Sequence, residues 1–369
     1  MATNYSAYLL HPATGTAIAN LSSFLSLEYA KRTNFVGSFK IVLPASFDIS
    51  LVAEDSRITI YRQPPGYARS LDFAGFIRSV RQFLSNDVQQ IELAGPDYNE
   101  LLTRRIVAYA AGSAEADKAG TADDIMKEYF DENFLGSATD TNRDLSSYGV
   151  SMAAATTAGT AVEVTAAWEN VLDAFKEIAD ASKAVVANAV YFGMVPLISG
   201  FNMEFRTKAG QWGMDHRFPD GADGAVWFAL ERGNMGDPTY EASSLDELTY
   251  AYAGGSGEGA NREVVEVTDT DRLGASIFNR REAFYNGSGD ETDELMDGGY
   301  ARLEEGQALR TFSFEAVQTP GTLYGVHYNL GDRVTSTYRS ITSDPHLAAV
   351  DIKVIDGSEA ITGVFEEIV

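Results

Sequence analysis

The sequence predicts a β-rich α+β protein of several domains, on three observations. Segments alternating apolar or small residues with polar ones, the mark of half-buried strands, fill the first hundred residues and return from residue 201 onward. Three segments with helical spacing lie between and within these strand groups. Strands and helices come in blocks instead of alternating, which argues against βαβ units. At about 150 residues per domain, 369 residues suit roughly two to three domains with a sizeable core.

The elements follow in order. Phe35, Gly37, Phe39, Ile41 and Leu43 share one face while Ser38 and Lys40 take the other, a strand ending at Pro44. Arg57–Arg62 is a second strand, closed by the Pro64-Pro65-Gly66 turn. Leu71–Phe83 and Val88–Ala94 continue an antiparallel meander across the polar Ser85-Asn86-Asp87 connection. Thr121 and Asp124 form a capping-box pattern ahead of Ile125, Met126, Tyr129, Phe130 and Phe134. Residues 136–160, rich in Gly, Ala, Ser and Thr, read as a long mobile loop or linker. From Trp168, the set Val171, Leu172, Phe175, Ile178 and Ala179 makes an amphipathic helix of about four turns.

Strands return at Phe201–Phe205, Val226–Leu230 and Leu248–Ala253. The last of these runs into a glycine cluster that Arg262–Val267 leaves as a returning strand. A helix begins near Asp290–Asp293, whose acids complement its N-terminus, with Leu295, Met296, Gly299, Tyr300 and Leu303 on its apolar face. The remaining strands are Thr311–Val317, Leu323–Tyr328, the alternating Val350, Ile352 and Val354, and Ile361–Ile368.

Composition removes whole classes of function. With 28 Lys+Arg against 53 Asp+Glu the net charge is −25, unsuited to gripping nucleic acid or anionic lipid, although nucleic acid could slide past without sticking. The absence of Cys excludes disulfides, thiol nucleophiles and Cys-type metal sites. The four His residues, His11, His216, His327 and His346, show no metal-ligand spacing. No charged n-region marks a signal peptide. The uncharged stretch from Ala184 to Met203 has bilayer length, but Asn188, Pro196, Ser199, Gly200 and Asn202 interrupt it and favour strand and turn, so no membrane span is expected.

The chemistry-bearing patterns fare no better. Gly254-Gly-Ser-Gly257-Glu-Gly259 lacks the Gly-Lys-Ser/Thr ending of a phosphate loop and reads as a glycine-rich hairpin. Asp290–Glu294 lacks EF-hand spacing. There is no G-x-S-x-G elbow, and among the histidines only His216 has an adjacent carboxylate. Catalytic, cofactor-binding and metal-binding residues are accordingly expected to be absent, and the chain is not expected to be an enzyme.

Several phrases in order carry a resemblance. They are Phe73-Ala-Gly75-Phe-Ile77, Ile91 to Leu102, Arg104-Arg105, Ile125–Tyr129, Tyr191-Phe192, Phe201–Phe205 and Gly210-Gln-Trp-Gly213-Met-Asp215-His-Arg217. After them come Gly233-Asn234-Met235, Tyr252 to Arg262, Arg280-Arg281-Glu282-Ala-Phe284 and Tyr328-Asn-Leu-Gly331-Asp332-Arg333-Val334. Together, over about residues 35–336, they resemble the siphophage tail-tip hub proteins related to the baseplate hubs of contractile tails; residues 136–160 match nothing in that family.

The resemblance implies a virion structural protein with two tail-tube-like β-barrel domains plus helix-containing and small β accessory domains. Its expected boundaries are 1–110 for the first tube-like region and 111–200 for the helical domain. The second tube-like region, with its helix at 290–309, takes 201–320, and a C-terminal β segment takes 321–369. It further implies a homotrimeric hub at the tail tip, made in the host cytoplasm. The hub would join a sixfold tail tube or distal tail ring to a threefold spike or fibre, alongside the tape measure protein. Phage DNA would pass through without specific binding, past acids lining the bore. Gly254, Gly257, Gly259, Arg262, Arg281, Glu282, Gly331, Asp332 and Val334 are the motif residues expected to serve folding or assembly, Gly331-Asp332 as a tight turn in which Asp332 caps a backbone N–H. Two other readings stand beside this one: a tail-tip hydrolase acting on cell wall or polysaccharide, and a host-receptor-binding module suggested by 18 Tyr and many Gly/Ser loops. With Val369 near the end of the hub-like region, an added lytic domain is not expected.

Overall fold

The computed structural model describes residues 3–108, 116–138, 140–183, 188–219, 224–287 and 292–366. Its main feature is a large sheet with an antiparallel path, beside which Asp215–His216 and Trp227–Ala229 pair in parallel with Arg333–Tyr338. Eight strands run along it in the order Met235–Ser243, Leu309–Ala316, Ser358–Glu366, His346–Ile355, Ser26–Arg32, Ser38–Pro44, Val88–Pro96 and Ser79–Ser85. The central junction pairs Ala349 with Arg32 through Ile355 with Ser26, joining segments some three hundred residues apart. A four-stranded sheet (Ala17–Asn20, Asn4–Leu10, Arg57–Gln63, Ser70–Phe76) faces the N-terminal half. Alternation drives both sheets inward: Leu9, Ile58, Ile60, Leu27, Ile41 and Leu93 share one core with Phe228, Phe312, Ile352 and Phe365.

Among the described residues neither half closes into a barrel. The eight-strand path ends on strands paired along one side only, Ser79–Ser85 and Met235–Ser243.

The helical module has its own core. Thr121 caps the helix Ala122–Phe134, accepting from the Asp124 N–H, as the capping-box pattern predicts. Phe130 stacks between Phe134 and Phe205, at 4.7 and 4.4 Å between ring centroids. The second helix spans Val171–Ser182 and starts later than expected, because Asn170 caps it while Trp168 takes a positive φ of 65°. A small module of Tyr250–Gly254, Val264–Thr268 and Glu282–Asn286 packs under the helix Thr292–Glu305. Asp290 and Glu291, part of the expected start of that helix, lie outside the described residues.

Three expectations need correction. Leu71–Phe83 is two strands, Ser70–Phe76 and Ser79–Ser85, because the chain crosses there from one sheet to the other. At the crossing Ile77 N–H donates to Ser56 O and Arg78 N–H to Ala94 O. Leu323–Tyr328 is not a strand but a turn that buries Tyr324 and Tyr328, with His327 Nδ1 accepting from the Leu323 N–H. The described part of 136–160 is no bare linker. It carries two short 3₁₀ turns and the strand Val150–Met152, pinned by the buried Asp123–Lys127 pair. Asp123 accepts from the Thr156 backbone N–H, and Lys127 Nζ donates to Ala154 O.

Candidate functional site

The outward face of the large sheet is built by the same alternation that makes the core. In Ser26–Arg32, Leu27 and Tyr29 turn inward; in His346–Ile355, Val350, Ile352 and Val354 do. That leaves Glu28, Ala30 and Arg32 beside Asp351 and Lys353 on the other side. The register Lys353↔Glu28↔Lys40 sets one carboxylate between two ammonium groups, each Nζ 3.1 Å from Glu28. Burial alone would raise the Glu28 pKa, but the hydrogen bonds from Lys353 and Lys40 hold it below the usual carboxylate value. One row along, Arg32 Nη2 meets Asp351 Oδ1 at 2.7 Å, and nearer the edge Arg81 Nε lies 3.4 Å from Glu92. Between the charges sit small residues such as Ala30, Ser38, Ala360 and Thr362, lining a shallow open groove of about 490 Å³. Glu241 and Glu315 extend this face toward Met235–Ser243.

The glycine motifs fall into two groups. Gly331 has φ +85°; its N–H donates to Leu347 O at 2.8 Å and its carbonyl accepts from Gly213 N–H at 3.0 Å. Asp332 is 2 % exposed and caps two backbone N–H groups at 2.6 Å each, Met214 on Oδ1 and Asn329 on Oδ2. Its Oδ2 also lies 3.4 Å from His216 Nε2, and burial raises its pKa. Val334, fully buried, pairs with His216. The phrases 210–217 and 328–334 thus form one knot, which joins the large sheet where Arg333 pairs with His346.

The second group stays in the small module. Arg262 Nη2 donates to Gly254 O at 2.7 Å and Nε to Gly255 O at 3.1 Å, with its guanidinium 5.1 Å from the Phe284 ring centroid. A Cβ on Gly254 would fall 2.5 Å from Phe284. Gly257 and Gly259 take positive φ, 94° and 56°, in the hairpin between Tyr250–Gly254 and Val264–Thr268. Arg281 donates to Ser244 O at 2.6 Å and to Leu245 O, while Glu282 accepts from Arg280 Nε at 2.6 Å.

Residue spacing does not announce the buried clamp that ties the two ends of the chain together. Arg62, 1 % exposed, forms a bidentate pair with Glu359, its Nη2 2.9 Å from Oε2, and also donates to Tyr5 Oη at 3.1 Å and to Tyr324 O. Beside it Lys31 Nζ bridges Asp72 Oδ1 at 2.8 Å and Tyr324 Oη at 2.9 Å. A three-residue alternation such as Asp351-Ile-Lys353 reveals which face a charge takes, but not its partner on a distant strand.

Among the described residues no three His, Asp or Glu side chains are grouped to hold a metal ion, and no helix is long and apolar enough to cross a membrane.

This two-sheet body, carrying a helical module and a small β module, is shared by several solved phage tail proteins. The tail protein from Neisseria meningitidis MC58 shares it with a TM-score of 0.59 at 14% identity, over 100% of this chain and 97% of that one. The 43 kDa tail protein of prophage MuSo2 from Shewanella oneidensis gives 0.60 at 10% identity, over 99% and 98%. Prophage tail protein gp18 from Listeria monocytogenes EGD-e gives 0.54 at 10% identity, over 97% and 94%. No curated protein matches the sequence. The model of the Siphovirus ReqiPepy6 Gp37-like protein family matches residues 10–360, and the chain belongs to that family. It is therefore a member of a siphovirus protein family, with the fold that these three tail proteins share.

Proposed function

We propose that this chain forms a homotrimeric hub ring at the distal end of the tail tube, with the outward face of its large sheet lining the DNA-ejection channel. The carrying observation is a repeated strand order. Numbered by position in the chain, the N-terminal four strands of the eight lie in the order first, second, fourth, third. The C-terminal four lie in the same order, in tandem. Both halves also close their last hairpin with a two-residue turn in positive φ: Asn86-Asp87 between Ser85 and Val88, and Asp356-Gly357 between Ile355 and Ser358.

One protomer therefore supplies two equivalent modules, and three supply six, enough to match a sixfold tube with threefold symmetry. The second module draws strands from both 201–320 and 321–369. The barrel that each half lacks alone would arise by closure around the ring. Superposing the halves, Ser85 on Ile355 and Val88 on Ser358, maps the internal junction onto one between protomers. Ser79 then faces Ser243 of the next copy, Arg81 faces Glu241, and Phe83 faces Thr239. The Arg81–Glu241 pairing joins opposite charges.

This lining suits DNA passage. Lys40, Lys353, Arg32 and Arg81 each already face a carboxylate, so none of these four waits free for a phosphate, while Glu241 and Glu315 add repulsion. The tail tube or distal ring would sit above, a spike or fibre below, and the tape measure protein alongside. Mass measurement with single-particle electron microscopy of the purified protein tests the reading. A ring near three times 40.0 kDa with pseudo-sixfold averages supports it, and a sheet face turned outward in that ring overturns it.

A further inference from the structure

In a chain of net charge −25, arginines without acidic partners stand out, and three gather around one region. Arg57 is 6 % exposed and donates to Tyr148 O at 3.2 Å and to Phe201 O, with its guanidinium carbon 3.9 Å from the Phe201 ring centroid. Its Nε is buried and has no hydrogen-bond partner. Arg105 donates from Nη1 to Asn133 O and Arg143 O, and Arg143 from Nη2 to Ile106 O and Asn133 Oδ1. None of the three forms an ion pair among the described residues; each is held by neutral oxygen atoms. Burial lowers the pKa of all three, and for Arg105 the nearby Arg143 charge adds to the effect.

Arg57 and Arg105, with Arg104, line a cleft of about 240 Å³ at the junction of the first sheets and the helical module. Its walls are apolar, including Phe76, Leu101, Leu145 and Met203, with Tyr148 beside them. One carboxylate is present, Asp55, which Arg78 at 2.7 Å and Arg104 at 3.1 Å already hold. Arg104 also binds Glu100, so the uncompensated positive charge belongs to Arg57 and Arg105.

We infer that this cleft is a binding site for a carboxylate carried on an apolar body, as an acidic side chain next to an aromatic or aliphatic residue on a partner polypeptide would present. The guanidinium groups take the carboxylate and the walls take the apolar part. Recognition is local, because the body as a whole repels acidic partners beyond about a Debye length. The site stands apart from the channel face and does not depend on the hub reading.

The test uses the full chain with three small probes: phenylacetate, its neutral analogue phenylacetamide, and inorganic phosphate. Binding is followed by calorimetry and by NMR shifts of Tyr148 and its neighbours. Saturable phenylacetate binding is expected, at least tenfold tighter than phenylacetamide. Arg105→Gln should weaken it tenfold or more, and Asp55→Asn should tighten it several-fold by removing the competing carboxylate. Asp55 has φ +56°, which Asn tolerates, so this second variant keeps the test valid should Arg105→Gln fold poorly. Equal binding of acid and amide, no response to Asp55→Asn, or phosphate binding without phenylacetate binding would each overturn the inference.

Discussion

Gly331→Val tests the knot that joins residues 210–217 to 328–334. Gly331 sits at φ +85°, where an L-residue costs about 1–2 kcal/mol. Crowding adds to that: a Cβ there would lie 2.5 Å from Trp212 Cδ1, 2.7 Å from its Cβ and 2.8 Å from Gly213 N. Overpacking of this kind costs about 1–3 kcal/mol, so the expected loss is about 2–5 kcal/mol. Gly66 separates the two causes. It has the same φ of +85° but nothing within 4 Å of its would-be Cβ, so Gly66→Val should lose only the conformational part, about 1–2 kcal/mol. Urea unfolding of both variants against the parent, read by tryptophan fluorescence, makes the comparison. A Gly331→Val midpoint equal to that of Gly66→Val would refute the close-packing argument, and an unchanged midpoint would refute the turn itself.

Three further outcomes are expected. Glu28→Gln releases Lys40 and Lys353 from their shared partner, so the assembled protein should retain duplex DNA at low salt, with a salt slope of roughly −2 for each protomer whose two lysines reach phosphates; unaltered DNA retention would contradict the charge-paired face. Glu359→Ala leaves Arg62 buried without its carboxylate and should cost about 3–5 kcal/mol, much of it recovered in Arg62→Met/Glu359→Leu; equal unfolding of the single variant and the parent would count against the clamp. His346 is buried and its pKa is pulled down to about 4, chiefly by burial and then by Lys183 and Arg333. Between about pH 6.5 and that value the unfolded imidazole takes up a proton that the folded one refuses. Its share of stability is therefore complete above that window and lost as pH falls through it, and His346→Leu should shrink the drop from pH 7 to 5 by about 2 kcal/mol. Identical pH profiles would show that His346 does not titrate in this way.

Much of this fold was legible from period two alone. The alternation in 35–44 and 350–354 predicted strands, and they are the ones on either side of Ser26–Arg32 in the large sheet. Thr121 and Asp124 announced their helix. Alternation says nothing about partners, so the pairing of Ser26–Arg32 with His346–Ile355 was invisible, and with it the Lys353–Glu28–Lys40 row. Leu323–Tyr328 misled because buried tyrosines in a turn keep the same spacing as a strand. In 136–160 the small residues suggested freedom, but the order comes from Asp123 and Lys127, on another element. Asp332 was read correctly as a cap, although its second partner, Met214, lies far away in the chain. The repeated strand order became visible only with the pairing, since the two halves share turn chemistry more than sequence.

The most direct test of the proposed ring uses the absence of cysteine from the chain. Ser79→Cys with Ser243→Cys places two thiols at positions that the repeat sets opposite each other between neighbouring protomers. Paired strands bring Cα atoms to about 4.5–5.5 Å, within disulfide reach. Oxidation of the purified double variant should yield a covalent trimer near three times 40.0 kDa on a non-reducing gel, with neither single variant giving more than a dimer. A double variant that stays monomeric after oxidation, while electron microscopy finds intact rings, would contradict the junction and the duplicated-module account built on it.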